Sequence, residues 1–144
     1  MRRIVITNDW QIDFHDQQAI ELMLRYWREW QPTDIVLNGD IIDFSALQRK
    51  FRKTAEVIRR TALQPAIAEG YLKRLRREHP KARIYWADGN HEARLHNLTL
   101  DVAPELEFLV SSGGVASLPT LLKFEQHGVT YVGSYTTPLY IGDL

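Results

Sequence analysis

The chain has 144 residues, of which 44% are hydrophobic and 25% charged. This composition is typical of a single globular domain and excludes a disordered chain, a collagen and a disulfide-rich mini-protein. Because the chain has no cysteine, thiol nucleophiles and thiolate zinc sites are also excluded, and any metal must bind to oxygen or imidazole. No apolar run approaches the ~18 residues of a membrane span, and the N-terminus lacks the apolar stretch of a signal peptide. We therefore expect a cytoplasmic protein without a membrane partner.

The formal net charge is zero, but the charges are unevenly distributed along the sequence. Residues 1–48 have four basic and eight acidic side chains, whereas residues 49–77 have ten basic and two acidic ones. An acidic segment can hold cations, and a basic segment can meet a polyanion. More often, a basic run of this kind is the solvated face of a helix.

Short apolar runs rich in β-branched residues, each closed by polar residues, predict strands. In chain order these runs are residues 3–7, 34–38, 83–87 and 128–132.

The segments between these runs have helical periodicity. Residues 16–30 repeat apolar side chains every three or four positions, and Pro32 ends this helix. A second helical region runs up to His79, and we expect Pro65 to kink or split it. Residues 91–110 are predicted to be helical with a break near Pro104.

Strands that alternate with helices indicate an α/β fold with a mainly parallel central sheet flanked by helices. In such sheets ligands bind beyond the carboxyl ends of the strands. Three successive predicted strands end in polar groups that can bind a metal, namely Asp9, Asp40 and Asn90. The glycines that precede two of them, Gly39 and Gly89, permit sharp turns and a close approach of the backbone. Oxygen donors with a few imidazoles suit Mn, Fe, Mg or Zn.

These strand ends, Gly39-Asp40-Ile41-Ile42-Asp43 and Gly89-Asn90-His91-Glu92 behind an Asp-bearing first strand, resemble the calcineurin-like metallophosphoesterase family. The family pattern is D-x-H, then G-D-x-x-D, then G-N-H-[DE], followed by two later histidine motifs. The resemblance implies the N-terminal portion of an α/β/β/α sandwich. It also implies two divalent metal ions and hydrolysis of a phosphodiester or phosphomonoester by a metal-bound hydroxide.

Carried over position by position, the resemblance makes Asp9 a ligand of the first metal, Asp40 a bridge between both and Asn90 a ligand of the second. The family's first histidine is Gln11 here, whose amide oxygen is a weaker donor than imidazole and favours Mn or Mg over Zn. His15, four residues further on, is an alternative donor whose position the sequence does not fix.

The resemblance also implies that His91 faces the phosphate, where it assists the leaving group or stabilises negative charge. Asp43 would hold the His91 ring in orientation. Taken singly, these residues have plainer interpretations: Asp9 and Asp40 can cap turns, and Asp43 can be the N-cap of the following helix.

The later histidine motifs of the family have no counterpart in residues 1–144. We therefore expect a single metallophosphoesterase-like domain that lacks its C-terminal strands, binds metal weakly, turns over little and forms a homodimer through its exposed sheet surface. Arg49 and Lys50 follow the second motif closely, which makes them candidate contacts for the phosphoester substrate or a nucleic acid. The alternative function is an inactive metal- or nucleic-acid-binding module on the same scaffold.

Overall fold

The computed structural model describes residues 1–50, 52–134 and 136–141, and it confirms the α/β class. The strands of the described chain form one sheet in the order β1-β2-β3-β4, and all neighbouring strands are parallel. They are β1 (Ile4–Thr7), β2 (Asp34–Asn38), β3 (Arg83–Ala87) and β4 (Val129–Gly133).

The connections between the strands are helical. They contain α1 (Gln17–Trp30), α2 (Ala55–Glu78), α3 (Ala93–Val102), α4 (Glu107–Val110), α5 (Leu118–Leu121) and α6 (Phe124–His127), with 3-10 turns at Ser45–Leu47 and Pro104–Leu106. Asp16 caps α1 by accepting from the backbone N–H groups of Gln18 and Ala19. The expectation that Pro65 splits the second helical region is wrong, because Pro65 lies inside the continuous helix α2. Tertiary packing of α2 outweighs the backbone hydrogen bond that proline removes.

One face of the sheet packs against the helices to form the core. In the register of the parallel strands, Thr7 pairs with Leu37 and Leu37 pairs with Trp86, and the last two side chains are almost fully buried in the core. Ile6, the residue before Thr7 on β1, points to the other face and is 65% exposed. Strands added in sequence order with right-handed crossovers place their helices on the same face, which leaves the other face partly open: Ile6 is exposed there, whereas its partner Val36 on β2 is 2% exposed. Self-association through that open face stays a prediction.

The amino-terminal edge of the sheet is held together by a buried carboxylate. The side chain of Asp34 has no solvent exposure, and its oxygens lie 3.0 Å from Arg2 Nε and 2.8 Å from Arg83 Nε. Thr33 also donates to it, at 2.7 Å. The hydrogen bond from Arg2, with those from Thr33 and Arg83, lowers the pKa of Asp34 to about 2 although burial opposes the shift. This one side chain therefore links the starts of three strands.

None of the helices in the described part of the chain combines the length and the apolar character that crossing a bilayer requires.

We expect Asp34→Asn to lower the free energy of unfolding by about 2 kcal/mol at pH 7, because the depressed pKa of Asp34 is a stabilising interaction of the charged form. That contribution is fully present above the unfolded-state pKa of 3.8 and is lost as the pH falls toward about 2. Urea denaturation of both proteins between pH 7 and pH 2.5 should therefore show a difference that shrinks below pH 4. Asp101→Asn, which removes an exposed carboxylate paired with Arg49, is the control and should change stability by less than about 1 kcal/mol.

Candidate metal centre

The candidate site is built from three loops at the carboxyl edge of the sheet: loop 1 (residues 8–16) follows β1, loop 2 (residues 39–44) follows β2, and loop 3 (residues 88–92) follows β3. Backbone φ is positive at Asp9 and Gln11 in loop 1 and at Asp40 in loop 2. Aspartate tolerates this left-handed conformation better than most side chains. The two aspartates therefore stand where the chain turns sharply out of the sheet.

Loops 1 and 2 run side by side beyond the strands. The Asp9 N–H donates to the Gly39 carbonyl at 3.1 Å, and the Gln11 N–H donates to the Asp40 carbonyl at 3.0 Å. Further along, Ile12 and Ile42 form a parallel bridge and are both fully buried. The two loops thus extend the β1–β2 pairing, which keeps Asp9 and Asp40 on adjacent segments.

Loops 2 and 3 are joined through the side chain of Glu92, which is only 4% exposed. Its two oxygens accept from the backbone N–H groups of Asp40 at 2.9 Å, Ile42 at 2.8 Å and Gly89 at 2.8 Å. Burial raises the pKa of Glu92 to about 7, while the backbone donors act in the opposite direction. A carboxylate has only acceptors, so it fits this ring of donors.

The two motif glycines allow loops 2 and 3 to approach each other closely. A Cβ on Gly39, where φ is +83°, would lie 2.8 Å from the Cα of Gly89. A Cβ on Gly89 would collide with both the side chain and the backbone nitrogen of Asp40. In the gap that glycine leaves, Asp40 Oδ1 accepts from the His91 N–H at 2.9 Å. The carboxylate of Asp40 therefore lies between the two motifs.

The donors at this edge fit a hard divalent cation. Asp9 and Asp40 supply carboxylates, and Gln11 and Asn90 supply amide oxygens, the ligand type that Mg²⁺ and Mn²⁺ accept. The Asp9 carboxylate is met by amide nitrogens, from Asn8 and, at 3.5 Å, from Gln11. These amides donate to the carboxylate, and a rotated Gln11 amide would present its oxygen on the same side. No group of three or more His, Asp or Glu side chains converges as a metal site within the described residues.

The structure places His91 and Asp43 side by side, as the sequence analysis expects. His91 Nδ1 lies 3.1 Å from Asp43 Oδ1, although the angle of approach is not that of a hydrogen bond. Arg94, at the start of α3, donates to His91 Nε2 at 2.8 Å and to the Asp43 carbonyl at 2.6 Å. Because a guanidinium has only donors, Nε2 accepts, and in the neutral ring the proton lies on Nδ1, facing Asp43.

Two residues of α2 brace the site loops from behind. Gln64 is fully buried; it donates to Asp13 of loop 1 at 2.8 Å and accepts from the Phe44 N–H of loop 2 at 2.8 Å. Arg60 donates to Asp13 at 2.6 Å. Although burial raises the pKa of Asp13, the hydrogen bonds from Gln64 and Arg60 outweigh it and hold that pKa below its usual value.

Sequence reasoning missed the roles of Glu92, Arg94 and Gln64. Glu92 occupies the acidic position of the G-N-H-[DE] motif, and that position is the one signal that could have identified it. Arg94 and Gln64 have no comparable signal, since an arginine at a helix start and a glutamine within a helix are common on solvated surfaces.

In the described part of the chain, none of the other histidines bonds to a residue of the proposed ligand set, and three of them have partners elsewhere. His15 Nε2 bonds to the hydroxyl of Tyr71 at 2.9 Å, so in this geometry it does not supplement Gln11. His96 faces Glu107 at 3.1 Å, and His127 faces Glu69 at 2.7 Å. His79 is buried, and neither ring nitrogen is hydrogen-bonded.

The two candidate substrate contacts lie at the rim. Arg49 and Lys50 are both exposed, and together with Arg94 they line one groove. Their assignment as substrate contacts stays a prediction, as do the metal-binding and catalytic roles assigned from the motifs.

Comparison with known proteins agrees with the motifs. The family model of the calcineurin-like phosphoesterases matches residues 2–141. The chain is similar to the Gene 54 protein of Mycobacterium phage L5, with 28% identity over 131 residues, which cover 89% of this chain and 49% of the phage protein. The chain thus spans about half the length of that curated relative. No solved structure matches the chain with significance.

We expect Glu92→Gln to destabilise the protein by about 1–3 kcal/mol, because glutamine turns N–H donors toward backbone groups that are themselves donors. Urea denaturation at pH 8 measures this loss. Glu105→Gln, at an exposed position of a 3-10 turn, should stay within about 0.5 kcal/mol of the parent. Equal effects of the two substitutions would contradict a clamping role for Glu92.

A second pair of variants tests the close approach of the loops. Gly89→Ala should destabilise the protein by roughly 1–3 kcal/mol, since its Cβ displaces Asp40. Gly70→Ala adds the same methyl group inside α2, where nothing lies within 4 Å, and should stabilise by about 0.5–1 kcal/mol. Thermal unfolding measures both changes. A Gly89→Ala protein as stable as the parent would contradict the expected clash between the new Cβ and Asp40.

Proposed function

The chain belongs to the calcineurin-like phosphoesterase family, and we propose that it hydrolyses phosphoester bonds with two divalent metal ions, for which Mn²⁺ is the best candidate. The observation that supports this proposal most directly is the position of the Asp40 carboxylate. It accepts from the backbone of His91 in loop 3, while the Asp40 backbone pairs with loop 1. One potential ligand thus connects the three segments that carry the family motif.

In this proposal Asp9, Gln11 and Asp40 hold the first ion, and Asp40 and Asn90 hold the second. When bound, such ions lower the pKa of a coordinated water and withdraw electron density from the phosphoryl oxygens. The all-oxygen donor set favours Mn²⁺ or Mg²⁺ over Zn²⁺. The second ion has fewer donors among the described residues, so we expect it to bind more weakly.

His91 and Arg94 form the electropositive side of the proposed site. His91 Nε2 faces away from Asp43 and toward the Arg94 guanidinium, so both groups can approach the same phosphate. There Arg94 would stabilise the negative charge that develops on the phosphoryl or leaving-group oxygen, and His91 would donate to that oxygen once Nε2 carries a proton. The carboxylate of Asp43 lies on the Nδ1 side of the ring, so Nε2 is the nitrogen that faces the substrate in this proposal.

The second candidate function is metal binding without turnover. It is favoured by Gln11 standing where the family has a histidine, since the weaker amide donor affects the site that would activate water. Binding and turnover must therefore be measured separately.

For hydrolysis, we expect the purified chain to cleave bis(p-nitrophenyl) phosphate with Mn²⁺, at a low rate as the sequence predicts, and to lose this activity with EDTA. Asp40→Ala should lower kcat at least about 100-fold by removing a ligand, and His91→Ala should lower it about 10²–10³-fold by removing charge stabilisation. Release of p-nitrophenolate measures both, and isothermal titration with MnCl₂ measures metal binding.

His96→Ala is the matched control for His91→Ala, because His96 lies on α3 and pairs with Glu107. It should retain activity within about twofold of the parent. Activity that survives Asp40→Ala would overturn the proposal. Mn²⁺ binding that needs Asp40, with no turnover of monoesters or diesters, would establish the second candidate instead.

A further inference from the structure

A groove of about 350 Å³ lies beside α3 and is lined in part by Arg94. Arg94 also contacts both His91 and Asp43. Arg49 and Lys50, both exposed, line the same groove. The volume lies within the range of roughly 300–1,000 Å³ that small-ligand sites occupy, and Arg94 connects the groove to the proposed reaction centre.

The lining of this groove combines three kinds of chemistry. Arg49, Lys50 and Arg94 supply three positive charges, which suit phosphate oxygens. Gln48 and Asn97 supply amides that can both donate and accept, as the edges of bases require. Leu47 and Leu98 supply apolar surface. An inorganic polyphosphate would use the cations alone, whereas a nucleotide would use all three.

The single negative charge in the groove can be displaced easily. Asp101 lies 3.1 Å from Arg49, and both side chains are exposed, at 44% and 59%. An exposed pair of this kind contributes only about 0–1 kcal/mol. An incoming phosphate can therefore replace Asp101 as the partner of Arg49 at little cost.

We propose that this groove binds a nucleotide unit of the substrate next to the scissile phosphate, so that the substrate is a phosphodiester of nucleotides. Arg94 contacts the scissile phosphate from the groove side, and Arg49 and Lys50 bind the next phosphate along. The unit can come from a nucleic-acid strand or a dinucleotide. This inference rests on the proposed function for the identity of the reaction centre, but binding in the groove does not require turnover.

Binding of fluorescein-labelled oligothymidylate, measured by fluorescence anisotropy in EDTA, tests the groove without metal. The double variant Arg49→Ala/Lys50→Ala should weaken binding at least about tenfold and reduce the slope of log K against log [salt] by about 1.4, as the loss of two phosphate contacts requires. Arg77→Ala/Lys81→Ala is the matched control. It removes the same two residue types at exposed positions before β3, at the opposite edge of the sheet, and should leave binding within about twofold.

Competition identifies the ligand and its source. Dithymidine monophosphate and an unlabelled strand are compared as competitors at equal nucleotide concentration. Equal displacement of the probe would support a dinucleotide substrate, and stronger displacement by the strand would support a nucleic acid. Displacement by tripolyphosphate at equal phosphate concentration would overturn the nucleotide assignment. Equal losses in the two double variants would overturn the groove itself.

Activity assays separate this inference from the proposed function. Arg49→Ala/Lys50→Ala should raise KM for an oligonucleotide about tenfold and KM for bis(p-nitrophenyl) phosphate by less, since that diester carries one phosphate, whereas Arg77→Ala/Lys81→Ala should leave the cleavage of both unchanged. If neither diester is cleaved but binding still depends on Arg49 and Lys50, the hydrolase proposal fails and the groove stands. If the aryl diester is cleaved and oligothymidylate is not bound, the groove does not bind nucleotides and the hydrolase proposal is supported.

Discussion

The candidate site depends on one buried carboxylate that accepts hydrogen bonds from three backbone N–H groups. Glu92 joins loop 3 to loop 2 through the backbone of Asp40, Ile42 and Gly89. These donors lie beyond the ends of the strands, where the sheet no longer pairs them, so without Glu92 they would be buried and unsatisfied. The bonds close the gap between the loops, and the absent side chain of Gly89 makes room for the Asp40 carboxylate. The proposed metal ligands at this edge are thus held in place by a side chain that lies outside the proposed ligand set.

The sequence allowed the elements and the order of the motifs to be predicted for a simple reason. Buried parallel strands are short, continuous apolar runs, and the polar residues that end them mark the carboxyl edge. The observed strands β2 (Asp34–Asn38) and β3 (Arg83–Ala87) coincide with the predicted runs. Since the edges of neighbouring parallel strands coincide, the expectation that Asp9 and Asp40 lie on adjacent segments follows from topology alone.

The surroundings of the site could not be predicted in this way, because they reverse the usual relation between polarity and exposure. On α2, Gln64 is fully buried, whereas Ile58 and Ile67 are exposed, Ile58 by 53%. Gln64 is buried because it satisfies the polar backbone of loop 2 and the carboxylate of Asp13. His79, the residue that follows α2, is 2% exposed, and burial lowers its pKa. Periodicity reports apolar faces and gives no information on polar groups that are buried to satisfy a neighbouring loop.

The zero net charge of the chain conceals two opposite requirements of the same site. The proposed cations would need the carboxylates of Asp9 and Asp40, whereas the proposed phosphodiester substrate would need positive charge. Mixing the two sets would neutralise both. The structure separates them at His91, whose backbone binds the Asp40 carboxylate while its ring accepts from Arg94. A neutral imidazole can lie against either set without cancelling its charge, so the acidic loops and the basic groove meet at the one residue that the proposed chemistry needs on both sides.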